Sequence, residues 1–321
     1  MSSPDRPNVR THVGIGGWLY EPWRGTFYPE GLAHHRELAY ASRQLDMIEI
    51  NSTYYRSQTP ETFAKWRDDT PDDFVFSVKA PMYATNRRVL ADAGEIVEKF
   101  VNGGVGELGG KLGPIVWEFA PTKVFDALDF AAFLRLVPRT IAGMRARHVL
   151  DVRHPSFKST EFLAMARKAA MACAFTDADD PASFADVTAD FVYTRVKRSN
   201  AKFAKGMKAQ VIDRLAERAR VWAAGGEPDD VPRVEEPQAV APHAIMPHAA
   251  MPRTVSPQVA AVPSIPRIAT PQAPLQVPPT PRDVFVLIVS GDKEKAPLAA
   301  MALCKKLSLE KTSIKPRAPR S

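Results

Sequence analysis

The sequence predicts an α/β protein: a (β/α)8, TIM-like barrel of parallel strands, with a long proline-rich disordered insertion before strand eight. Three observations lead there. Eight short runs, most of them rich in Val, Ile or Phe, suit buried, pleated strands. Helical patterns lie between them, and such alternation builds right-handed βαβ units around a parallel sheet. Setting the proline-rich stretch aside leaves about 265 residues, the size at which eight such units close into a barrel.

The strand runs, in order, are His12–Gly17, Leu45–Ile50, Phe74–Lys79, Gly113–Phe119, Arg147–Val152, Met171–Phe175, Phe191–Val196 and Asp283–Val289. A helix over Ala33–Gln44 follows the first. Pro60–Asp69 follows the second, with Thr59 placed to cap it and Pro60 at the first helical position, where a missing N–H costs nothing. Gly94–Leu112 follows the third, interrupted by Gly103 and Gly104. Val124–Leu136, Ser159–Ala170, Met207–Ala224 and Ala296–Leu307 follow the fourth, fifth, seventh and eighth. The stretch Asp177–Asp190 after strand six is too short to predict a helix. Gly14, Gly16 and Gly17 do not form a GxGxxG turn opening a helix, so no dinucleotide cofactor is indicated.

Of the 29 prolines, 14 fall between Pro228 and Pro281, a stretch with no glycine and no Phe, Trp or Tyr. Fixed φ angles, few backbone donors and nothing large to bury predict an extended, disordered insertion over 228–281. It interrupts a barrel over 12–307, because strand eight must return to close the sheet. Residues 1–11 read as a flexible N-terminus and 308–321 as a basic disordered tail. Residues 305–321 carry six Lys/Arg and one Glu, so most of the chain's net charge of +7 lies there.

Hydrophobic residues at 45% and charged residues at 25% exclude a wholly disordered or fibrous chain. No apolar run reaches about 18 residues, so no membrane span is expected. The N-terminal segment lacks the apolar core of a secretory signal. Cys173 and Cys304 stand far apart with no CxxC, which argues against a disulfide scaffold or structural zinc and predicts free thiols in a cytoplasmic protein.

In a barrel of this kind, chemistry sits at the carboxyl ends of the strands. Those ends carry Trp18 and Tyr20, then Glu49, Asn51, Thr53, Tyr54 and Tyr55, then Lys79, then Glu118. Next come Asp151, Arg153 and His154, then Asp177, Tyr193, Arg195 and Asp292. Side chains two apart on a strand share a face, which pairs Glu49 with Asn51, Asp151 with Arg153 and Tyr193 with Arg195. Three cations and about four carboxylates thus converge on one mouth. Glu49, Lys79 and Glu118 are the candidate catalytic residues. Trp18, Asn51, Tyr54, Asp151, Arg153, His154, Tyr193 and Arg195 are the candidate ligand-binding residues. Lys79 and Glu118, on neighbouring strands, also fit a plain salt bridge closing the barrel top. A lone histidine before a proline, such as His154, equally fits an ordinary loop. Trp18, Trp23 and Tyr28 also fit lid packing.

Several of these residues carry a resemblance. The stretch from Gly16 through Gly17-Trp18-Leu19-Tyr20-Glu21-Pro22-Trp23-Arg24 to Pro29 resembles the opening motif of the YecE-like family, domain of unknown function 72. Glu49-Ile50-Asn51-Ser52-Thr53-Tyr54-Tyr55, Phe74–Lys79, Asp151-Val152-Arg153-His154-Pro155-Ser156-Phe157 and Tyr193-Thr194-Arg195 resemble later segments of that family, in order. The resemblance implies a TIM-like barrel and carries no reaction with it. The chain departs from the family pattern at Val196-Lys197-Arg198-Ser199, where a His-Gly is usual, at Ser290-Gly291-Asp292, where asparagines are common, and at Asp151, where Glu is commoner.

The residues favour a small anionic, hydroxylated ligand of the phosphorylated-sugar kind. Lys79, Arg153 and Arg195 would hold its charge, Asn51 and Tyr193 would orient hydroxyls, and Glu49 or Glu118 would act as acid or base if burial raised its pKa. Two alternatives stand beside this one. In a metal-dependent, sugar-isomerase-like or nuclease-like barrel, Glu49, Glu118, Asp151, His154 and Asp177 would be the ligands. In a nucleic-acid-binding protein, Trp18, Tyr54 and Tyr55 would stack bases and the basic tail would meet phosphates.

Overall fold

In a computed structural model, residues 9–178, 183–234, 280–289 and 291–311 are described. Eight strands close into a parallel barrel: β1 (Thr11–Gly16), β2 (Met47–Ile50), β3 (Val75–Lys79), β4 (Leu112–Glu118), β7 (His148–Asp151), β8 (Ala172–Asp177), β9 (Phe191–Val196) and β10 (Asp283–Ile288). The remaining pair, β5 (Thr140–Ile141) and β6 (Met144–Arg145), forms a small antiparallel hairpin turned by Ala142 and Gly143, both with positive φ. β10 hydrogen-bonds to both β9 and β1, so the strand that follows the proline-rich stretch closes the sheet.

Alternation divides the core in two. Met47, Val116, Val149, Ala172, Ala174, Phe191, Tyr193, Phe285 and Leu287 fill the bore. The opposite faces of the same strands, including Ile48, Val78, Ile115, Trp117 and Leu150, pack outward against the helices. Gly14 permits the closure between β1 and β2, since a Cβ there would lie 2.0 Å from the Met47 carbonyl oxygen.

The outer layer holds α1 (Glu37–Ala41), α2 (Ser52–Tyr55), α3 (Pro60–Asp68), α4 (Met82–Thr85) and α5 (Gly94–Asn102). It continues with α6 (Ala127–Leu136), α7 (Thr160–Ala169), α8 (Ala209–Ala223) and α9 (Ala296–Lys311). Thr59 caps α3 through Oγ1, which accepts the Thr62 N–H at 3.3 Å. α5 stops at Gly103, and Gly104 follows with φ +103°, so close to Pro60 that a Cβ would meet its Cα at 2.6 Å. That packing accounts for the interruption expected at Gly103 and Gly104 within 94–112, and beyond it the chain continues as a 3-10 stretch over Val105–Lys111 instead of an α-helix. The helix expected over 33–44 shortens to α1, entered by a 3-10 turn over His34–Arg36.

Two segment boundaries move. α9 runs to Lys311, four residues past the expected end of the barrel. At the other site, residues 228–234 pack against the barrel instead of beginning an extended segment. Val231 is buried, the Pro232 carbonyl accepts the Ala185 N–H at 2.8 Å, and Asp230 holds Arg218 at 3.0 Å. The expectations for 1–8, for the proline-rich stretch over 235–279 and for the tail over 312–321 lie outside the described residues. Among the described residues, no helix is long and apolar enough to cross a membrane.

Candidate functional site at the carboxyl end of the barrel

The bore is apolar until its last layer, which is ionic. β2 presents Glu49, β3 Lys79, β4 Glu118, β7 Asp151 and β9 Arg195, and each is the bore-facing residue nearest its strand's carboxyl end. They join into one chain of contacts. Glu49 Oε2 accepts the Tyr193 hydroxyl at 2.8 Å and Arg195 Nη1 at 2.5 Å. Arg195 Nε lies 3.6 Å from Asp151 Oδ2, and Arg153 Nη2 lies 3.3 Å from the same oxygen. Arg153 Nη2 also reaches Glu118 Oε2 at 2.8 Å, where Lys79 Nζ arrives at 2.6 Å. Seven of the expected site residues therefore form a single network: Glu49, Lys79, Glu118, Asp151, Arg153, Tyr193 and Arg195.

Below it, Ser77 Oγ lies 2.8 Å from the Tyr193 oxygen and 3.0 Å from the Pro114 carbonyl, with one proton to offer the two. Burial, and next the Glu49 carboxylate, raise the Tyr193 phenol well above its ordinary pKa, so it stays a donor. Burial alone would lower the Arg195 guanidinium and raise the Asp151 carboxyl. Their mutual attraction, with Glu49 acting on Arg195 and Arg153 on Asp151, reverses both: Arg195 is held above and Asp151 below its ordinary value. Glu49 and Glu118 thus each stand against cations.

Two cations are the most exposed members, while the third, Arg195, at 6%, is more buried than Glu118. Side-chain exposure is 32% for Arg153 and 12% for Lys79, against 9% for Glu118, 2% for Asp151 and 1% for Glu49. Lys197, one residue past β9, is exposed and shares the alternating face of Tyr193 and Arg195. Burial and then the nearby Arg153 lower its ammonium pKa.

The other expected site residues sit differently. Tyr54 lies under Lys79, whose Nζ is 4.8 Å from the ring centroid, and its hydroxyl accepts from Asn86 at 3.2 Å. Asn51 begins α2 and turns its amide toward Gly16 and Gly17. Trp18 packs edge-on against Trp66, centroids 5.1 Å apart. Both Trp18 and Asn51 line a cavity of about 620 Å³ beside the ionic layer. His154 is not brought to the network. Its Nδ1 accepts the Ser156 N–H at 3.2 Å and meets Ser156 Oγ at 2.8 Å, capping the turn over Pro155–Phe157.

The five proposed metal ligands do not converge either. Arg198 and Arg218 occupy Asp177 at 2.6 and 2.9 Å, and arginines separate Glu49, Asp151 and Glu118. Among the described residues, no group of three or more His, Cys, Asp or Glu is arranged to hold a metal ion. Trp23 and Tyr28 are core residues, 1% and 2% exposed. Sequence reasoning missed Ser77 and Lys197. The period-two rule reaches both, from Lys79 backward and from Arg195 forward.

Comparison with known proteins agrees with this architecture. A DUF72 family protein from Thermotoga maritima MSB8 superposes with a TM-score of 0.64 at 18% identity, over 93% of this chain and 99% of that one. A DUF72 family protein from Enterococcus faecalis V583 gives 0.57 at 14% identity, over 94% and 98%. In sequence, the UPF0759 protein YecE of Escherichia coli K12 is 26% identical over 149 residues, 46% of this chain. That match spans about half, 49%, of the relative's own length, and YecE of E. coli O157:H7 matches equally. The family model described as "Protein of unknown function DUF72" matches residues 12–267, most of the chain, and the protein belongs to the DUF72 family.

Proposed function

We propose that the protein binds a small anionic, hydroxylated molecule at the carboxyl end of the barrel. One observation carries the reading: in the ionic layer every cation lies nearer solvent than the carboxylate it pairs with. A solute entering the mouth meets Arg153 and Lys79 before Glu118 and Asp151. Arg153 offers a planar fork and Lys79 a point charge, a combination suited to phosphate or carboxylate. The carboxylates beneath keep these cations from repelling one another when the site is empty.

The charge around the mouth supports the same reading. Residues 197–208, between β9 and α8, carry five Lys/Arg and no acidic residue, against a net charge of +7 for the whole chain. Lys202, Lys205 and Lys208 are exposed there. The loop is held in place, since Gly206 N–H bonds Phe203 O at 2.8 Å and Asp292 Oδ2 accepts the Ala201 N–H at 2.5 Å. Such a fixed basic rim raises the local concentration of anions and their rate of entry.

Titration of inorganic phosphate by calorimetry tests the proposal. Wild-type protein should bind with an affinity that falls as salt rises, and Arg153→Met should weaken binding at least about tenfold, a loss of about 1.4 kcal/mol. No binding to the wild type, or equal binding to Arg153→Met, would refute it.

A further inference from the structure

Beside the ionic layer, the 620 Å³ cavity has the size of a small-molecule site and two kinds of wall. One wall is aromatic, made by Trp18 and Trp66, both half-buried. The other is polar and charged, with Asn51, Ser52 and Gln58 beside the cations Arg56, Lys65 and Lys293. Ser52 Oγ and Gln58 Nε2 are buried without a hydrogen-bond partner among the described residues. Orphaned polar atoms of this kind are uncommon and call for an explanation.

Gly16 and Asn51, on the cavity wall, are the lining residues next to Glu49 of the ionic layer. A Cβ built on Gly16 would stand 3.3 Å from Asn51 Nδ2 and 3.8 Å from Glu49 Oε1. The two oxygens of Glu49 differ: Oε2 takes both Tyr193 and Arg195, while Oε1 accepts no hydrogen bond among the described residues. Glycine at position 16 thus leaves a space of about one methyl group, bounded by the Asn51 amide, Val289 Cγ1 and the free Glu49 oxygen.

We infer that this cavity holds the hydroxylated ring of the ligand whose anionic group sits at Lys79 and Arg153. The inference rests on the proposed anion site and adds the ring to it. An aromatic wall takes the C–H face of a sugar-like ring. Hydroxyl groups, which donate and accept, match an amide, a hydroxyl and a free carboxylate oxygen better than a purely apolar ring does. Glu49 Oε1 receives one ring hydroxyl, and Asn51 Nδ2 donates to another.

The test compares glucose 6-phosphate and ribose 5-phosphate with inorganic phosphate, by calorimetry and by Trp fluorescence. At least one sugar phosphate should bind about tenfold tighter than inorganic phosphate. Trp18→Ala should remove that advantage while phosphate itself binds as before. Gly16→Ala, which fills that space beside Glu49 Oε1, should do the same and serves if Trp18→Ala fails to fold. The inference is overturned if neither sugar phosphate binds tighter than phosphate, or if the advantage survives in both variants. Adenosine displacing the Trp18 signal where the sugar phosphates do not would overturn it too, assigning the cavity to a planar base. Failure of inorganic phosphate itself to bind would instead remove the anion site on which the ring assignment stands.

Discussion

Lys79 and Arg153 pair with one oxygen: Glu118 Oε2 lies 2.6 Å from Lys79 Nζ and 2.8 Å from Arg153 Nη2. Glu118 therefore has a second cation whenever the first is removed or drawn to a ligand. The proposed anion site needs this redundancy, because a cation drawn to a ligand then leaves Glu118 paired.

Glu49 has no such reserve. It alone receives both Tyr193 and Arg195 through Oε2, and its side chain is 1% exposed. Glu49→Gln leaves the buried Arg195 with Asp151 at 3.6 Å and should destabilise the fold by about 3–5 kcal/mol. Tyr193→Phe removes one hydroxyl and should cost only about 1–2 kcal/mol. Urea denaturation of the two variants checks the order, and a larger loss in Tyr193→Phe would contradict it.

Acid should act through His148, at the amino end of β7 on the helix-facing side beside Trp117. Its Nδ1 accepts the Trp117 indole N–H at 3.1 Å, and its Nε2 donates to the Pro138 carbonyl at 2.7 Å, a pattern that needs a neutral ring. Burial lowers its pKa from 6.5 to about 4. The unfolded chain then binds a proton between those values and the folded chain does not. Stability is complete above pH ~6.5 and falls as pH drops toward ~4, by about 3 kcal/mol from this group. His148→Gln should flatten that part of the stability curve, and an unchanged slope would argue against a neutral buried histidine.

The packed segment 228–234 predicts a difference between two deletions. Replacing 235–279 by a short Gly/Ser linker retains Asp230–Arg218 and the buried Val231, while replacing 228–281 loses both. Loop length alone changes stability by only about 0.6 kcal/mol per doubling. The longer replacement should melt several degrees below the shorter, and equal melting temperatures would mean that these contacts contribute nothing.

Both cysteines are free thiols, with Cys173 buried and its thiol pushed up to about 12 by that burial. Ellman titration should count two thiols in denaturant without reductant, and Cys173→Ser should not change the fast-reacting fraction in the native protein. A fast native reaction that disappears with Cys173→Ser would show the β8 region opening.

Much of the barrel and most of the ionic layer were legible because both follow from period-two alternation, which needs no knowledge of packing. Glu49, Lys79, Glu118, Asp151 and Arg195 each end a strand on its bore face. What escaped depends on three-dimensional competition. His154 is claimed by Ser156 two residues away, and Asp177 by Arg198 and Arg218. Asn51 leaves the strand to begin α2 and faces the Trp18 cavity. The β5–β6 hairpin has strands of two residues, too short to show any period. The interruption of the long helix at Gly103 and Gly104 was legible, but its cause, the contact of Gly104 with Pro60 far away in sequence, was not.

Lys79 is either an anion ligand or only the partner of Glu118, and one pair of measurements on Lys79→Met decides it: phosphate affinity and unfolding free energy. With Arg153 still holding Glu118, phosphate binding should drop at least about tenfold while stability falls by less than about 3 kcal/mol. Phosphate binding at wild-type strength, together with a stability loss of about 3–5 kcal/mol, would show that Lys79 is only the structural partner of Glu118 and would contradict the anion site.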